Sequence, residues 1–224
     1  MLAELLADAP VAVREMHPRD AQVERLPHAE AALVAKAIDE RKRQFAAGRT
    51  VARQALADVG AATPPILWTA ERAPLWPEGV VGSITHTKGW AAAAVGRAKD
   101  VLGVGLDVEP AAALKPRVFD AIATEDDRQA LRLAGLDGER FGKAIFCAKE
   151  AAYKAQYALT GTYLGFAAMF VELDPETGCF RAVFRQAAAE AFRPGDVLQG
   201  RFQQDERFVR AAVLIPAESA IQRV

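Results

Sequence analysis

Residues 139–159 constrain this chain more than any other stretch. Preceded by Asp137 and Gly138, followed by Gly161, and carrying small and apolar residues at helical spacing, they predict one long helix. Its centre, residues 146–155, reads Phe-Cys-Ala-Lys-Glu-Ala-Ala-Tyr-Lys-Ala, so Glu150 and Lys154 stand four apart and share a face. The plain reading of such a pair is a solvated ion pair. Two further stretches argue for more: an apolar run at 101–108 that ends in Asp107 and Glu109, and Gly-Ser-Ile-Thr-His-Thr at 82–87. Together the three suggest a single phosphate-and-metal site.

At 224 residues and 51% hydrophobic content, the chain can bury one large core or two small, closely packed ones. Its alanine-rich stretches are soon interrupted by charge, so no membrane span is expected. Glu4 and Asp8 stand where a secretory signal wants positive charge, and a cytoplasmic protein is expected. The only two cysteines, Cys147 and Cys179, have neither zinc-ligand spacing nor the count of a disulfide framework. A net charge of −1 argues against bulk attraction to nucleic acid. The charge is uneven, however: Lys36, Arg41, Lys42, Arg43, Arg49 and Arg53 outnumber Asp39 and Glu40 over 36–53. That cluster is either a solvated helix face or a grip for a compact polyanion, and arginine suits phosphate because its guanidinium is planar and permanently charged.

The remaining pattern predicts an α+β fold in two halves. The first half, 1–109, is expected to hold strands at 11–16, 66–69, 80–86, 90–95 and 101–108, with helices after Pro27 and over 44–59. The second, 110–224, opens on a linker at 110–116. It is expected to hold a helix capped by Thr124, the long helix, and an antiparallel sheet at 167–173, 179–185, 197–203 and 208–215. Asp107 and Glu109 are two apart on a strand, so both carboxylates project from one face, an arrangement suited to a hard cation such as Mg²⁺.

Four blocks occurring in order resemble the 4′-phosphopantetheinyl transferases. They are residues 40–49 with Arg53, the Trp-Pro-Glu-Gly-Val-Val-Gly-Ser-Ile-Thr-His-Thr run at 76–87, Gly-Leu-Asp-Val-Glu at 105–109, and residues 146–155. The second block is most similar to the siderophore-associated, enterobactin-type branch. The resemblance implies two similar α/β subdomains related by a pseudo-twofold axis, with a coenzyme A cleft between them. It implies Asp107, Glu109 and Glu150 as Mg²⁺ ligands and Lys154 as the pyrophosphate-binding lysine. It also implies Thr85 and His86 as holders of the 3′-phosphate, with Arg41 and Arg49 beside them. A monomer acting on apo acyl or peptidyl carrier proteins, with no nucleic acid or membrane partner, is the implied setting.

The implied chemistry agrees with the residues. A carrier serine must attack the pantetheine-side phosphorus of coenzyme A, which calls for charge cancellation by a cation and a lysine, and for a proton acceptor. That acceptor is Glu150 or a metal-bound water. A coenzyme A sensor without transfer and an Mg²⁺-dependent phosphodiesterase are the competing readings.

Overall fold

In the computed structural model, which describes residues 1–218, local sequence signals set the main helices. These helices are α1 (Leu2–Leu5), α2 (His28–Leu33), α3 (Asp39–Asp58), α4 (Pro116–Ile122), α5 (Glu125–Leu133) and α6 (Gly138–Thr160). The Asp137 carboxylate accepts the backbone N–H groups of Glu139 and Arg140, and α6 stops where Gly161 turns left-handed at φ 62°. Thr124 and Asp127 close a reciprocal capping box at the start of α5.

Strands β1 (Val11–Met16), β2 (Val80–Thr87) and β3 (Trp90–Arg97) form an antiparallel sheet in the order β1-β3-β2, with α3 packed across it. Strands β4 (Val101–Pro110), β5 (Met169–Asp174), β6 (Cys179–Phe184), β7 (Val197–Gln204) and β8 (Phe208–Pro216) form a second antiparallel sheet in the order β4-β8-β7-β6-β5. Helix α6 lies across this second sheet, its Ala148, Ala151, Ala152 and Ala155 buried against Val209, Ala211 and Val213 of β8. The fold is therefore α+β and contains two sheet-and-helix halves on one plan, a long helix laid over an antiparallel sheet.

Small residues set the spacing between these layers. A Cβ built on Gly105 would lie 1.8 Å from the carbonyl oxygen of Ala151, and one on Gly103 would lie 2.3 Å from that of Ala155. Only glycine allows the α6 backbone to press so closely on β4. On the first half, Gly48 of α3 meets Ile84 of β2 in the same way, with 2.9 Å from a built Cβ to the Ile84 methyl.

The two halves join at β4. It is the edge strand of the second sheet, and β2 runs beside it without a main-chain ladder. Instead, Ser83 Oγ accepts the Leu106 N–H at 3.0 Å and Thr85 Oγ1 accepts the Val108 N–H at 3.2 Å. The hydroxylated face that alternation gives β2 is thus buried between the sheets.

Several expectations change here. The strand expected to close the first half, 101–108, is hydrogen-bonded into the second sheet through β8, so the expected 109/110 boundary cuts β4 one residue before its end and leaves a strand of the second sheet in the first half. Residues 66–69 form no strand: Glu30 captures the Ile66 N–H at 2.7 Å, and a single bridge joins Trp68 to Pro74. The helix after Pro27 ends at Leu33, and Ile38 beyond it is exposed. The linker at 110–116 is followed by the unexpected short helix α4. The last six residues of the 110–224 segment lie outside the described residues.

Replacing Gly105 with Ala should destabilise the fold by about 3 kcal/mol or more, the upper end of overpacking costs, because the obstructing atom is backbone and cannot rotate away. Equilibrium urea unfolding measures this, and a loss below about 1 kcal/mol would mean that α6 can lift from β4.

Candidate active site

A cavity of about 450 Å³ opens between the halves, with Arg41, Arg49, Arg72 and His86 on the first-half side and Tyr153 and Lys154 of α6 opposite. A larger cavity, of about 660 Å³, lies between residues 5–9 and the second sheet. None of the expected site residues lines that larger cavity, and its Glu172 and Arg181 pair with each other.

The first-half side of the cleft is cationic. Arg49 is 5% exposed, donates Nε–H to the Ile66 carbonyl at 2.8 Å, and holds its guanidinium 4.5 Å from the Phe45 ring centroid. Burial lowers its pKa to about 10, with Arg53 and Arg41 adding to the effect and Glu30 opposing it, so it stays charged at neutral pH. Arg41 approaches the His86 ring, 3.0 Å from Nε2, which fits a neutral imidazole accepting at that atom. His86 is pushed down to about 4, first by burial and then by Arg41, Lys154 and Arg49. A half-buried imidazole surrounded by cations marks a place where an anion would be strongly favoured.

Carboxylates hold the other side. Asp107, on β4, is 5% exposed; its Oδ1 accepts Lys154 Nζ at 2.7 Å and Thr85 Oγ1 at 3.4 Å, while its buried Oδ2 has no hydrogen-bond partner. Lys154 also donates to the Leu106 carbonyl at 2.9 Å. Burial would lower the Lys154 pKa, but Asp107 and Glu150 outweigh it and the pKa is raised. Glu109 is raised by burial and by Asp107, against Lys143, whose Nζ lies 3.9 Å from its Oε2. Glu150 is raised by burial and by Asp107, against Lys154. It borders a small cavity of about 90 Å³ that shares Tyr153 with the main one.

The expected site residues are thus distributed in a definite way. Arg41, Arg49, His86 and Lys154 meet in one cavity, and Asp107, Glu109 and Glu150 lie close enough to perturb one another's ionisation. Among the described residues, no group of three or more His, Cys, Asp or Glu side chains is disposed to hold a metal ion. The donor chemistry nevertheless fits a hard divalent cation: oxygen ligands only, and one buried carboxylate oxygen without a partner. Thr85 is placed differently from the expectation. Its side chain is 4% exposed, faces β4 and is absent from the cavity lining.

Other residues sort out on packing. Arg53, counted in the basic cluster, is bound to the fully buried Glu30 at 2.6 and 2.8 Å and is structural. Lys149, next to Glu150, is buried with Nζ donating to Asp127 at 2.6 Å and to the Ile122 and Phe166 carbonyls at 3.0 Å each. Arg72 was missed by the sequence reading; it sits in a turn at φ 66° with its guanidinium 5.8 Å from the Trp68 ring centroid. Tyr153 and Tyr157, four apart on α6, both line the cavity, and burial pushes Tyr153 up to about 12. Their spacing on the cleft face was the available signal.

His86 supplies a pH test. Its folded pKa of about 4 lies below the ordinary 6.5, so between these values the unfolded chain binds the proton more tightly. Its contribution to stability is full above about pH 6.5 and is lost as pH falls toward about 4. Saturating inorganic pyrophosphate should raise the pKa, read from the ring resonances by NMR; an unchanged pKa would place the anion elsewhere.

Comparison with known proteins accords with this geometry. Residues 29–96 match the 4′-phosphopantetheinyl transferase N-terminal domain, and residues 103–207 match the 4′-phosphopantetheinyl transferase superfamily. The chain is 37% identical over 193 residues to the 4′-phosphopantetheinyl transferase Svp of Streptomyces mobaraensis, covering 84% of this chain and 78% of that protein. It is 34% identical over 191 residues to the 4′-phosphopantetheinyl transferase PptT of Mycobacterium tuberculosis, covering 83% and 84%. Enterobactin synthase component D of Salmonella typhi is 36% identical over 122 residues, covering 52% and 48%.

Proposed function

The chain belongs to the 4′-phosphopantetheinyl transferase superfamily, and from that premise we propose that it transfers the 4′-phosphopantetheine group of coenzyme A to a serine of an apo carrier protein. Adenosine 3′,5′-bisphosphate leaves. One observation carries the reading: Lys154 lines the same cavity as Arg41, Arg49 and His86 and also contacts Asp107, so phosphate-binding cations and carboxylates meet at one side chain. The carriers are those of siderophore, polyketide or fatty-acid assembly. The protein acts in the cytoplasm as a monomer, since one chain supplies both walls of the cleft; no helix among the described residues is long and apolar enough to cross a membrane.

Arg41, Arg49, Arg72 and His86 receive the nucleotide phosphates, and Lys154 steadies the pyrophosphate. Asp107, Glu109 and Glu150 would hold Mg²⁺, which when bound neutralises pyrophosphate charge. The serine oxygen forms a bond to the pantetheine-side phosphorus, and the bond from that phosphorus to the bridging oxygen breaks toward the adenosine bisphosphate. Glu150 accepts the serine proton. Glu150 works only when deprotonated, so activity should fall once the pH is low enough to protonate it.

Incubating the chain with coenzyme A, Mg²⁺ and an apo carrier tests the reading directly. A carrier mass gain equal to phosphopantetheine supports it. Binding without product, or coenzyme A cleavage without carrier modification, would replace it with a sensor or a phosphodiesterase.

Arg41→Gln should raise KM for coenzyme A by about tenfold or more and leave kcat within about threefold, because a phosphate remote from the reacting phosphorus is held alike in ground and transition states. Loss of kcat alone would move Arg41 into the chemistry. Glu150→Gln keeps shape and one acceptor oxygen but loses charge and basicity. Coenzyme A binding should weaken about tenfold, a cost of about 1.4 kcal/mol, while turnover falls by roughly 10²-fold to 10⁴-fold. Calorimetry beside the mass-shift assay reads both; equal losses would leave Glu150 as a ligand only.

A further inference from the structure

We propose that Thr85 is a positioning residue for Asp107 rather than a holder of the nucleotide 3′-phosphate, an inference that rests on the proposed transfer reaction. Neighbouring residues of a strand point to opposite faces. On β2 the alternation sends His86 to the cavity and to Arg41, and sends Thr85 to β4. A threonine hydroxyl has one proton to give. Thr85 gives it to Asp107 Oδ1 at 3.4 Å and accepts the Val108 N–H at 3.2 Å, so both capacities are used within the protein.

The consequence falls on Asp107. Its Oδ1 is shared by Thr85 and by Lys154, and its buried Oδ2 has no partner. A carboxylate rotates about its last side-chain bond with little restraint of its own. The Thr85 contact is long for an O–H···O bond and adds little strength; its part is to hold Oδ1 from the β2 side, beside the shorter Lys154 bond. Ser83 fastens the previous register by accepting the Leu106 N–H at 3.0 Å. The strand position of Asp107 is thereby fixed as well as its rotamer.

Three proteins test this: the full chain, Thr85→Val, which keeps shape but removes the hydroxyl, and Thr85→Ser, which restores it. Coenzyme A and dephospho-coenzyme A, which lacks the 3′-phosphate, are titrated by calorimetry in EDTA. Mn²⁺ is then titrated by electron paramagnetic resonance at saturating coenzyme A. For Thr85→Val, both nucleotide affinities should stay within about twofold of wild type while the Mn²⁺ Kd rises about tenfold or more, and Thr85→Ser should recover to within about threefold. A selective loss of coenzyme A over dephospho-coenzyme A affinity would overturn the proposal in favour of a phosphate anchor. An unchanged Mn²⁺ Kd would also overturn it. If Thr85→Val does not fold, Thr85→Ala, whose vacated space admits a water to the Val108 N–H, carries the same expectations. Absence of carrier modification by the wild-type chain would sink the transfer reading by itself and leave these binding comparisons to decide the role of Thr85.

Discussion

The open edge of β4 is the constraint on which the rest depends. An edge strand presents unpaired N–H and C=O groups, and burying it leaves them costly unless something pairs them. Here the partners are side chains drawn from both halves: Ser83 and Thr85 of β2 take the N–H groups of Leu106 and Val108, and Lys154 of α6 takes the Leu106 carbonyl. The pairing requires α6 to lie very close, which Gly103 and Gly105 allow. Satisfying the edge and assembling the site are the same event, because the residue between the two captured N–H groups is Asp107.

The cleft divides its electrostatics accordingly. Arg41, Arg49 and Arg72 are delivered by α3 and the turn that follows it, and they crowd a neutral His86 without a counter-anion among the cavity-lining groups other than Glu71. The acids come from β4 and α6. Lys154 stands where the two regions meet, so a ligand with phosphates at both ends of its length would find cations at each. Arg53 shows how the fold separates binding charge from structural charge: one helical turn beyond Arg49, it is spent on the fully buried Glu30, which in turn fixes Ile66, the residue whose carbonyl holds Arg49.

Local signals made much of this legible. The long helix, its caps and the strands of the second sheet follow from periodicity and turn residues, and β5–β8 appear within two residues of their expected bounds. What was not legible depends on contacts distant in sequence. Residues 66–69 have strand composition, yet their backbone donor is claimed by Glu30, thirty-six residues earlier. The membership of β4 is decided by β8, about a hundred residues later, and the sense in which Thr85 points depends on which sheet edge waits opposite. The three carboxylates were identifiable as a set, but the pairing of Glu109 with Lys143 and of Asp107 with Lys154 was not, since both partners are chosen by where α6 is laid.

Those two pairings bear on how the acidic side is kept together. Lys143 and Lys154 lie eleven residues apart on α6, which is close to three helical turns, so both face β4 with Glu150 between them. Three carboxylates against two lysines leave a single local excess of negative charge, with Asp107 buried and Glu109 and Glu150 half-buried. Burial raises Glu109 and Glu150, while Asp107 keeps the closest lysine contact of the three. The acids are therefore unequal before any ligand arrives. Asp107 is the fixed member, held by Thr85 and Lys154. Glu109 is held loosely by Lys143 at 3.9 Å, and Glu150 borders a separate small cavity beside Tyr153. That inequality leaves the strand carboxylate of Asp107 fixed by two partners and the helix carboxylate of Glu150 less restrained.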